Sequence, residues 1–373
     1  MQPNGSSRRG VQGLEASAIA LPCLYWHTSI IIIAFAPNMI PIVDLSPFAS
    51  TTTDASIRQQ RAKELHEAVR VNGCVGLAGH GVSGELLQQA FAVSNQLFGL
   101  PYADKMKAPH PNSHTPHRGY SGTGKERGAV KTARETEDED LKQQYTSTAD
   151  YKESYEIGSE ENRVQYNIWL PENTLPGFRD FTTRFFWELN KTSQLILDAL
   201  IEALGLLDAE AEAVRALHTG HDNQLRLLHY PPITDALIGD ASVGRLGAHT
   251  DWSTFTFLFQ DENSGLEFED RASGDFIPAT PCEGVLYMNI GDMFQRISNN
   301  IYPSGMHRVS VPGKASGQPT PARYSIPYFV CPAPDGTIEP QPSLVAAVGK
   351  KHYEPITYQK FAEQMFATTN IYD

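Results

Sequence analysis

From Asn223 onward the chain breaks into short apolar runs separated by turn residues: Leu225–Tyr230, Leu246–Thr250, Phe255–Phe259, Leu266–Glu269, Val285–Ile290, His307–Val311 and Tyr324–Val330. Runs this short cannot bury a helical stripe, so they predict strands. Phe255, Phe257 and Phe259 alternate, the pattern of a strand with one buried face. No internal repeat organises the chain, and the pattern predicts a jelly roll or barrel of about eight strands wrapped by helices and loops, an α+β fold.

The part before Asn223 reads differently. Ile57–Val71 carries Ala62, Leu65, Ala68 and Val69 on one helical face, Cys74–Ala78 reads as a buried strand ending at the turn Gly79-His80-Gly81, and Ser83 caps a second helix. Residues 108–173 are polar and lack a sustained apolar period, which predicts long loops. Phe178 to Leu207 restores a 3.6-residue pattern, a long helix or helix pair with Gly205 as terminator, and Pro355–Phe366 closes the chain with a helical segment. Residues 1–38 show neither period, whereas Met39–Ser46 reads as the start of a folded domain. The expected division is a dispensable or disordered extension (1–38), a mixed helical N-terminal region (39–215), a jelly-roll core (216–340) and a C-terminal helical segment (341–373). The apolar stretch Ser29–Ala36 is too short to cross a bilayer, which needs about 20 residues.

Lys and Arg number 30 against 43 Asp and Glu, a net charge of −13, so no global positive field exists to draw nucleic acid or anionic lipid. Cys23, Cys74, Cys282 and Cys331 are far apart and form no C-x-x-C, arguing against a disulfide framework or a zinc knuckle. These features predict a cytoplasmic protein with no nucleic-acid or membrane partner; a small-molecule partner and a monomeric or weakly homo-oligomeric state are separate expectations.

His249-Thr250-Asp251 ends a predicted strand, where residues i and i+2 share a face and can hold one ion. A single H-x-D also describes two ordinary polar residues. His307 lies in the predicted strand Gly305–Val309, where an apolar setting disfavours an unpartnered imidazole. Arg323-Tyr324-Ser325 follows as a second i, i+2 pair, and Tyr230 sits on a neighbouring run. Two imidazoles and a carboxylate are the facial triad that leaves three positions of an octahedral Fe(II) open. Arg323 with the Ser325 hydroxyl supplies a fork and one further hydrogen bond for a dicarboxylate. The same ligands could serve a zinc hydrolase, and a binding protein on the same fold is the non-enzymatic alternative; a hydrolase has no use for the dicarboxylate site.

The set His249, Asp251, His307, Arg323 and Ser325 resembles the H-x-D, H, R-x-S pattern of the iron(II)- and 2-oxoglutarate-dependent dioxygenases of the isopenicillin N synthase-like family. The resemblance runs from about Ile40 to Phe366 and takes in Ile40–Leu45, the Gly79-His80-Gly81 turn, Arg118-Gly119-Tyr120 and Tyr151–Tyr155. It implies a double-stranded β-helix core and a catalytic Fe(II) held by His249, Asp251 and His307. It also implies the cosubstrates 2-oxoglutarate and O2, with the distal carboxylate on Arg323, Ser325 and Tyr230. The implied reaction is oxidation of an unactivated C–H bond of a small metabolite by hydroxylation, desaturation or ring rearrangement, with release of succinate and CO2, in secondary-metabolite biosynthesis. A 2-oxoglutarate-independent oxidase is the alternative within the family. Family-like placement nominates Tyr120, Tyr328 and Phe366 for the substrate pocket. Where the family often has Asn-Tyr-Tyr-Pro, this chain has Leu228-His229-Tyr230-Pro231, so only the second Tyr is retained.

Other signals carry less. Gly119–Lys125 fits part of a phosphate-binding loop, but Glu126 stands where Ser or Thr must hold Mg²⁺ and no apolar strand precedes it. His110, His114 and His117 lie in a Pro-, Asn- and Ser-rich loop and read as solvent-exposed, as do His218 and His221. Glu135–Asp140 reads as a solvated acidic loop.

Overall fold

The computed structural model describes residues 39–50, 52–113, 117–125, 149–162, 164–233, 243–311 and 319–368. Expectations for residues 1–38, His114, Glu126 and Glu135–Asp140 fall outside the described residues, as does the side chain of Phe366.

In chain order the first half holds β1 (Ile42–Asp44), α1 (Ser46–Ala49), α2 (Ala55–Asn72), β2 (Cys74–Ala78), α3 (Gly84–Gly99), α4 (Tyr102–Lys105), β3 (Gly119–Ser121), β4 (Ala149–Asp150), β5 (Glu153–Gly158), α5 (Phe178–Leu204) and α6 (Asp208–Ala216). The second half holds β6 (Gln224–Tyr230), β7 (Val243–Gly244), β8 (Leu246–His249), β9 (Phe255–Gln260), β10 (Leu266–Glu269), β11 (Phe276–Pro278), β12 (Leu286–Ile290), α7 (Asp292–Ile297), β13 (His307–Val309), β14 (Arg323–Val330), β15 (Thr337–Ile338), α8 (Pro342–Val348), β16 (Ile356–Thr357) and α9 (Tyr358–Thr368).

Eight strands form one sheet in the order β1-β2-β12-β9-β14-β6-β5-β3, and β11-β10-β13-β8 form a four-stranded sheet. Four strands of the large sheet come from residues 39–215, so the boundary near residue 215 marks a change in local pattern while the sheet continues across it. Strand alternation divides the large sheet into two faces. One face carries Phe255, Phe257, Phe259, Met288 and Tyr328, all buried in the core cluster with α2 and α5. The opposite face carries Arg226, Leu228, Thr256, Leu258, Arg323 and Ser325. Together with Leu246, His249, Leu266 and His307 of the small sheet they surround a cavity of about 300 Å³. This arrangement is the jelly roll expected from the strand pattern.

α5 is the long helix read from the sequence, in one piece. Phe185, Phe186, Leu189, Ile196, Leu197 and Leu200 recur at three- and four-residue spacing and are fully buried, each contributing about 1.5–3 kcal/mol of hydrophobic stabilisation. It ends where Gly205 takes φ 67°, a left-handed cap that costs glycine no Cβ clash. α2 starts at Asp54, whose carboxylate accepts the Ser56 N–H at 2.7 Å, and stops at Gly73, φ 68°. A side chain at Gly73 would collide with the Pro303 carbonyl, so glycine lets α2 end against the segment leading into β13. Among the described residues no helix is long and apolar enough to cross a membrane.

Candidate active site

β8 and β13 pair antiparallel with His249 directly opposite His307. β8 ends at His249, so Asp251 stands in the following loop rather than on the strand as the sequence suggested. That loop is pinned where the Asp292 N–H, in the first turn of α7, donates to the Asp251 carbonyl at 2.8 Å. The turn brings Asp251 Oδ1 to 3.8 Å from His249 Nε2 and Oδ2 to 3.9 Å from His307 Nε2. One donor atom from each residue lies within 4.8 Å of the others.

The tautomers follow from the partners. His249 Nδ1 is 2.8 Å from the Gly247 carbonyl and His307 Nδ1 is 3.0 Å from that of Gly305. A carbonyl only accepts, so each Nδ1 carries a hydrogen, and in the neutral ring Nε2 is the nitrogen left with a lone pair. Burial, reinforced by the neighbouring His307, pushes the His249 imidazole down to about 3, keeping it neutral at pH 7. Burial alone would raise the Asp251 carboxyl, but His307, His249 and the Asn289 amide, 2.8 Å from Oδ2, hold it below the usual carboxylate range. Two imidazole nitrogens and a carboxylate converge, a donor set that fits a divalent cation with open coordination positions.

The other polar centre lies where β14 begins. Arg323 pairs directly across from Tyr230 of β6, and Arg323 and Ser325 both face the cavity. Arg323 Nη1 donates to Ser325 Oγ and Nη2 to Gln260 Oε1, each at 3.1 Å. Both acceptors are neutral, the guanidinium is 1% exposed, and its Nε has no partner among the described residues. A buried cation whose hydrogen bonds go only to neutral groups suits an anionic ligand, and its planar fork suits a carboxylate. The fit to 2-oxoglutarate rests on that buried fork.

The far end of the same strand is also polar. Gln224 and Arg226 of β6 line the cavity with His117, and both contact the buried carboxylate of Glu156 on β5. His117, expected in solvent, is instead partly buried, with Nδ1 3.2 Å from the Gln224 amide. Lys152 and Asp150 pair at 3.2 Å on another wall. Sequence reasoning missed Asn289, Gln260, Gln224 and Glu156, because each acquires its role only when strands distant in sequence come together.

Two expected substrate residues lie elsewhere. Tyr328 is one residue out of phase with Ser325 and Phe329, so it points away from the cavity, fully buried against Phe186 and Phe257. Tyr120 faces the helix side, and its hydroxyl donates to Glu153 Oε2 at 2.5 Å within a buried cluster with Lys105. Phe366 lies on α9, with its side chain outside the described residues. His218 is a further correction: it is buried, with Nδ1 2.7 Å from the Val214 carbonyl and Nε2 2.7 Å from the Thr254 hydroxyl.

Comparison with known proteins places this geometry in a family. Residues 40–174 match the family model described as the N-terminal region of the non-haem dioxygenase in morphine synthesis, and residues 221–332 match that of the 2OG-Fe(II) oxygenase superfamily. The 2-oxoglutarate-dependent dioxygenase htyE of Aspergillus rugulosus is 34% identical over 84% of this chain and 94% of its own. The 2-oxoglutarate-dependent dioxygenase frbA of a Dothideomycetidae species is 32% identical over 82% of this chain and 89% of its own. Among solved structures, a full-length Neurospora crassa protein crystallised in complex with alpha-KG superposes with a TM-score of 0.76 at 31% identity, covering 90% of this chain and 98% of that one. The zinc-hydrolase and 2-oxoglutarate-independent readings gain no support from these relatives. The chain belongs to the 2OG-Fe(II) oxygenase superfamily and is a 2-oxoglutarate-dependent dioxygenase that uses Fe(II) and O2.

Proposed function

We propose that His249, Asp251 and His307 hold the catalytic Fe(II), that Arg323, Ser325 and Tyr230 seat the distal carboxylate of 2-oxoglutarate, and that the enzyme oxidises a C–H bond of a small organic metabolite. The observation that carries this reading is the pairing, within one cavity, of a cluster of three ligand atoms with a buried guanidinium whose hydrogen bonds go to neutral groups. When bound, Fe(II) with 2-oxoglutarate and O2 supplies the oxidising power for hydrogen removal, succinate and CO2 being the co-products.

The chain's own residues orient and exclude. The Gly247 and Gly305 carbonyls fix both imidazole rings, Arg323 sets the direction of the cosubstrate, and Leu258, Leu266 and Val309 keep water from the walls between. Residues 39–215, 216–340 and 341–373 act together as one catalytic unit, a reading supported by the sheet that the first two share.

The substrate is a secondary metabolite that undergoes hydroxylation, desaturation or ring rearrangement. The names of relatives support this class: one is a proline hydroxylase, buaE of Petromyces alliaceus, 30% identical over 83% of this chain, and the Neurospora crassa protein has also been solved with thymine. The polar wall at Gln224 and His117 supports a substrate with hydrogen-bonding groups. The free Cys74 and Cys331 thiols support action in the cytoplasm.

Anaerobic protein given Fe(II) and 2-oxoglutarate should develop a weak metal-to-ligand charge-transfer band, and Arg323→Ala should abolish it at the same cosubstrate concentration. A band that survives in Arg323→Ala would remove the cosubstrate assignment. Among metabolites screened for triggered succinate release, the substrate should stimulate the wild-type protein and fail to stimulate His249→Ala.

A further inference from the structure

The ring of Tyr230 is shared by two buried guanidinium groups. The Cζ of Arg323 lies 5.1 Å from the ring centroid and that of Arg245 lies 5.8 Å from it. Both arginines are 1% exposed. Arg245 stands just before β8, where Nη2 donates to the Pro321 carbonyl at 2.6 Å and Nη1 to the Ser264 carbonyl at 3.3 Å. Its Nε has no partner among the described residues. Gly265 makes room for it: at φ 140° an added Cβ would sit 3.3 Å from Nη1.

We infer that Arg245 is a positioning residue for the cosubstrate, holding the Tyr230 ring beside Arg323 and adding a second buried positive charge that draws the distal carboxylate of 2-oxoglutarate into that end of the cavity. The inference rests on the reading of Arg323 as the seat of that carboxylate.

A purely structural link between the Ser264 and Pro321 carbonyls needs only a neutral donor. A guanidinium there brings a charge whose burial is costly unless an anion answers it. Both arginines feel one carboxylate, Asp261, and its oxygens are engaged by the Tyr324 N–H at 2.7 Å and the Asn263 N–H at 3.0 Å. Two cations against one shared carboxylate leave an excess positive charge beside the cavity. The pair also repels itself: burial first, and Arg323 second, push the Arg245 guanidinium down to about 10, so it stays charged at pH 7 and is relieved when an anion arrives. Arg245 makes no contact with the cavity of its own and acts through Tyr230 and through its field.

The test compares two ligands that differ only at the distal end. Calorimetric titration of anaerobic Fe(II)-loaded protein with 2-oxoglutarate and with 2-oxovalerate, which lacks the distal carboxylate, gives the ratio Kd(2-oxovalerate)/Kd(2-oxoglutarate), which is insensitive to the fraction of protein folded. Arg245→Gln should lower that ratio about tenfold by weakening 2-oxoglutarate alone. The isosteric Asp261→Asn should raise the ratio severalfold, because it removes the competing anion, and it decides the matter if Arg245→Gln does not fold. A ratio unchanged from wild type in Arg245→Gln, or unchanged in Asp261→Asn, overturns the inference. If wild type itself does not prefer 2-oxoglutarate, or Arg323→Gln keeps the wild-type preference, it is the assignment of the carboxylate to Arg323 that fails.

Discussion

His249 and His307 are direct partners across β8 and β13, their rings 4.3 Å apart, and each donates its Nδ1 hydrogen to the carbonyl two residues before it. The same local device on two strands aims both Nε2 lone pairs at Asp251. His249→Ala, Asp251→Ala and His307→Ala should therefore each abolish iron binding while leaving the sheet intact. Asn289, which donates to Asp251 Oδ2, orients the carboxylate proposed as the third ligand. Asn289→Ala should weaken iron binding about 10- to 100-fold. Titration against a competing chelator measures both effects, and undiminished affinity in Asn289→Ala would show that Asp251 needs no orienting partner.

Arg323→Lys separates charge from geometry. An ammonium keeps the charge but cannot reproduce a planar fork that reaches Ser325, Gln260 and a carboxylate together. Losing one charge-assisted hydrogen bond, worth about 1.5–3 kcal/mol, should raise the KM for 2-oxoglutarate about 10- to 100-fold with iron affinity unchanged. Steady-state kinetics at saturating iron read this directly. An unchanged KM counts against a bidentate role.

The strands that carry the site were legible because period-2 alternation is a local signal: β9, β10 and β14 lie within a residue or two of their sequence-based positions. The cluster of His249, Asp251 and His307 was legible because two imidazoles and a carboxylate are an unusual set. Asp251 was misplaced onto the strand because a strand end is set by where pairing stops, which depends on β13. Arg245 gave no signal at all, since one arginine beside a glycine has no pattern. The face of Tyr328 could have been read, because Arg323 and Ser325 in the cavity fix every second residue of β14. His117 and His218 were misjudged because loop composition predicts exposure, whereas they pack against Gln224 of β6 and Thr254 just before β9.

Tyr328 supplies a test of the face assignment. Its hydroxyl lies 3.3 Å from the Asn223 amide on the helix side of β14. Tyr328→Phe should lose about 0.5–1.5 kcal/mol in urea unfolding and leave the KM for 2-oxoglutarate and the substrate-triggered rate unchanged. A selective loss of substrate stimulation would return Tyr328 to the pocket.

Behind the cavity, Glu153 is a buried junction that accepts from Lys105 at 2.7 Å, from Tyr120 at 2.5 Å, and faces His229 Nδ1 at 2.7 Å. These contacts tie α4 and β3 to β5 and β6. Glu153→Gln removes the charge but keeps the shape, leaving the Lys105 ammonium buried without a counter-ion. Such a change should destabilise the fold by about 3–5 kcal/mol. Glu153→Gln paired with Lys105→Met should recover much of that loss, since the cost lies in the stranded charge. Equal stability of the single and double variants would show that the pair is open to water.

Acid sensitivity should have an identifiable source away from the His249, Asp251 and His307 cluster. His218 is buried between the Val214 carbonyl and the Thr254 hydroxyl, so Nδ1 donates to the carbonyl and, in the neutral ring, Nε2 accepts from the hydroxyl. Burial pushes its imidazole from 6.5 down to about 4. The unfolded chain then binds more protons than the folded one between those values, so stability is complete above about pH 6.5 and falls as pH drops toward 4. Over that span the loss should reach about 3 kcal/mol from this residue. His218→Gln retains a donor and an acceptor without titrating, so its unfolding free energy should vary less across this range, even if it is lower at pH 7. Urea unfolding of metal-free wild type and variant at intervals from pH 7 to 4 makes the comparison, and parallel pH profiles would clear His218 of any part in acid unfolding.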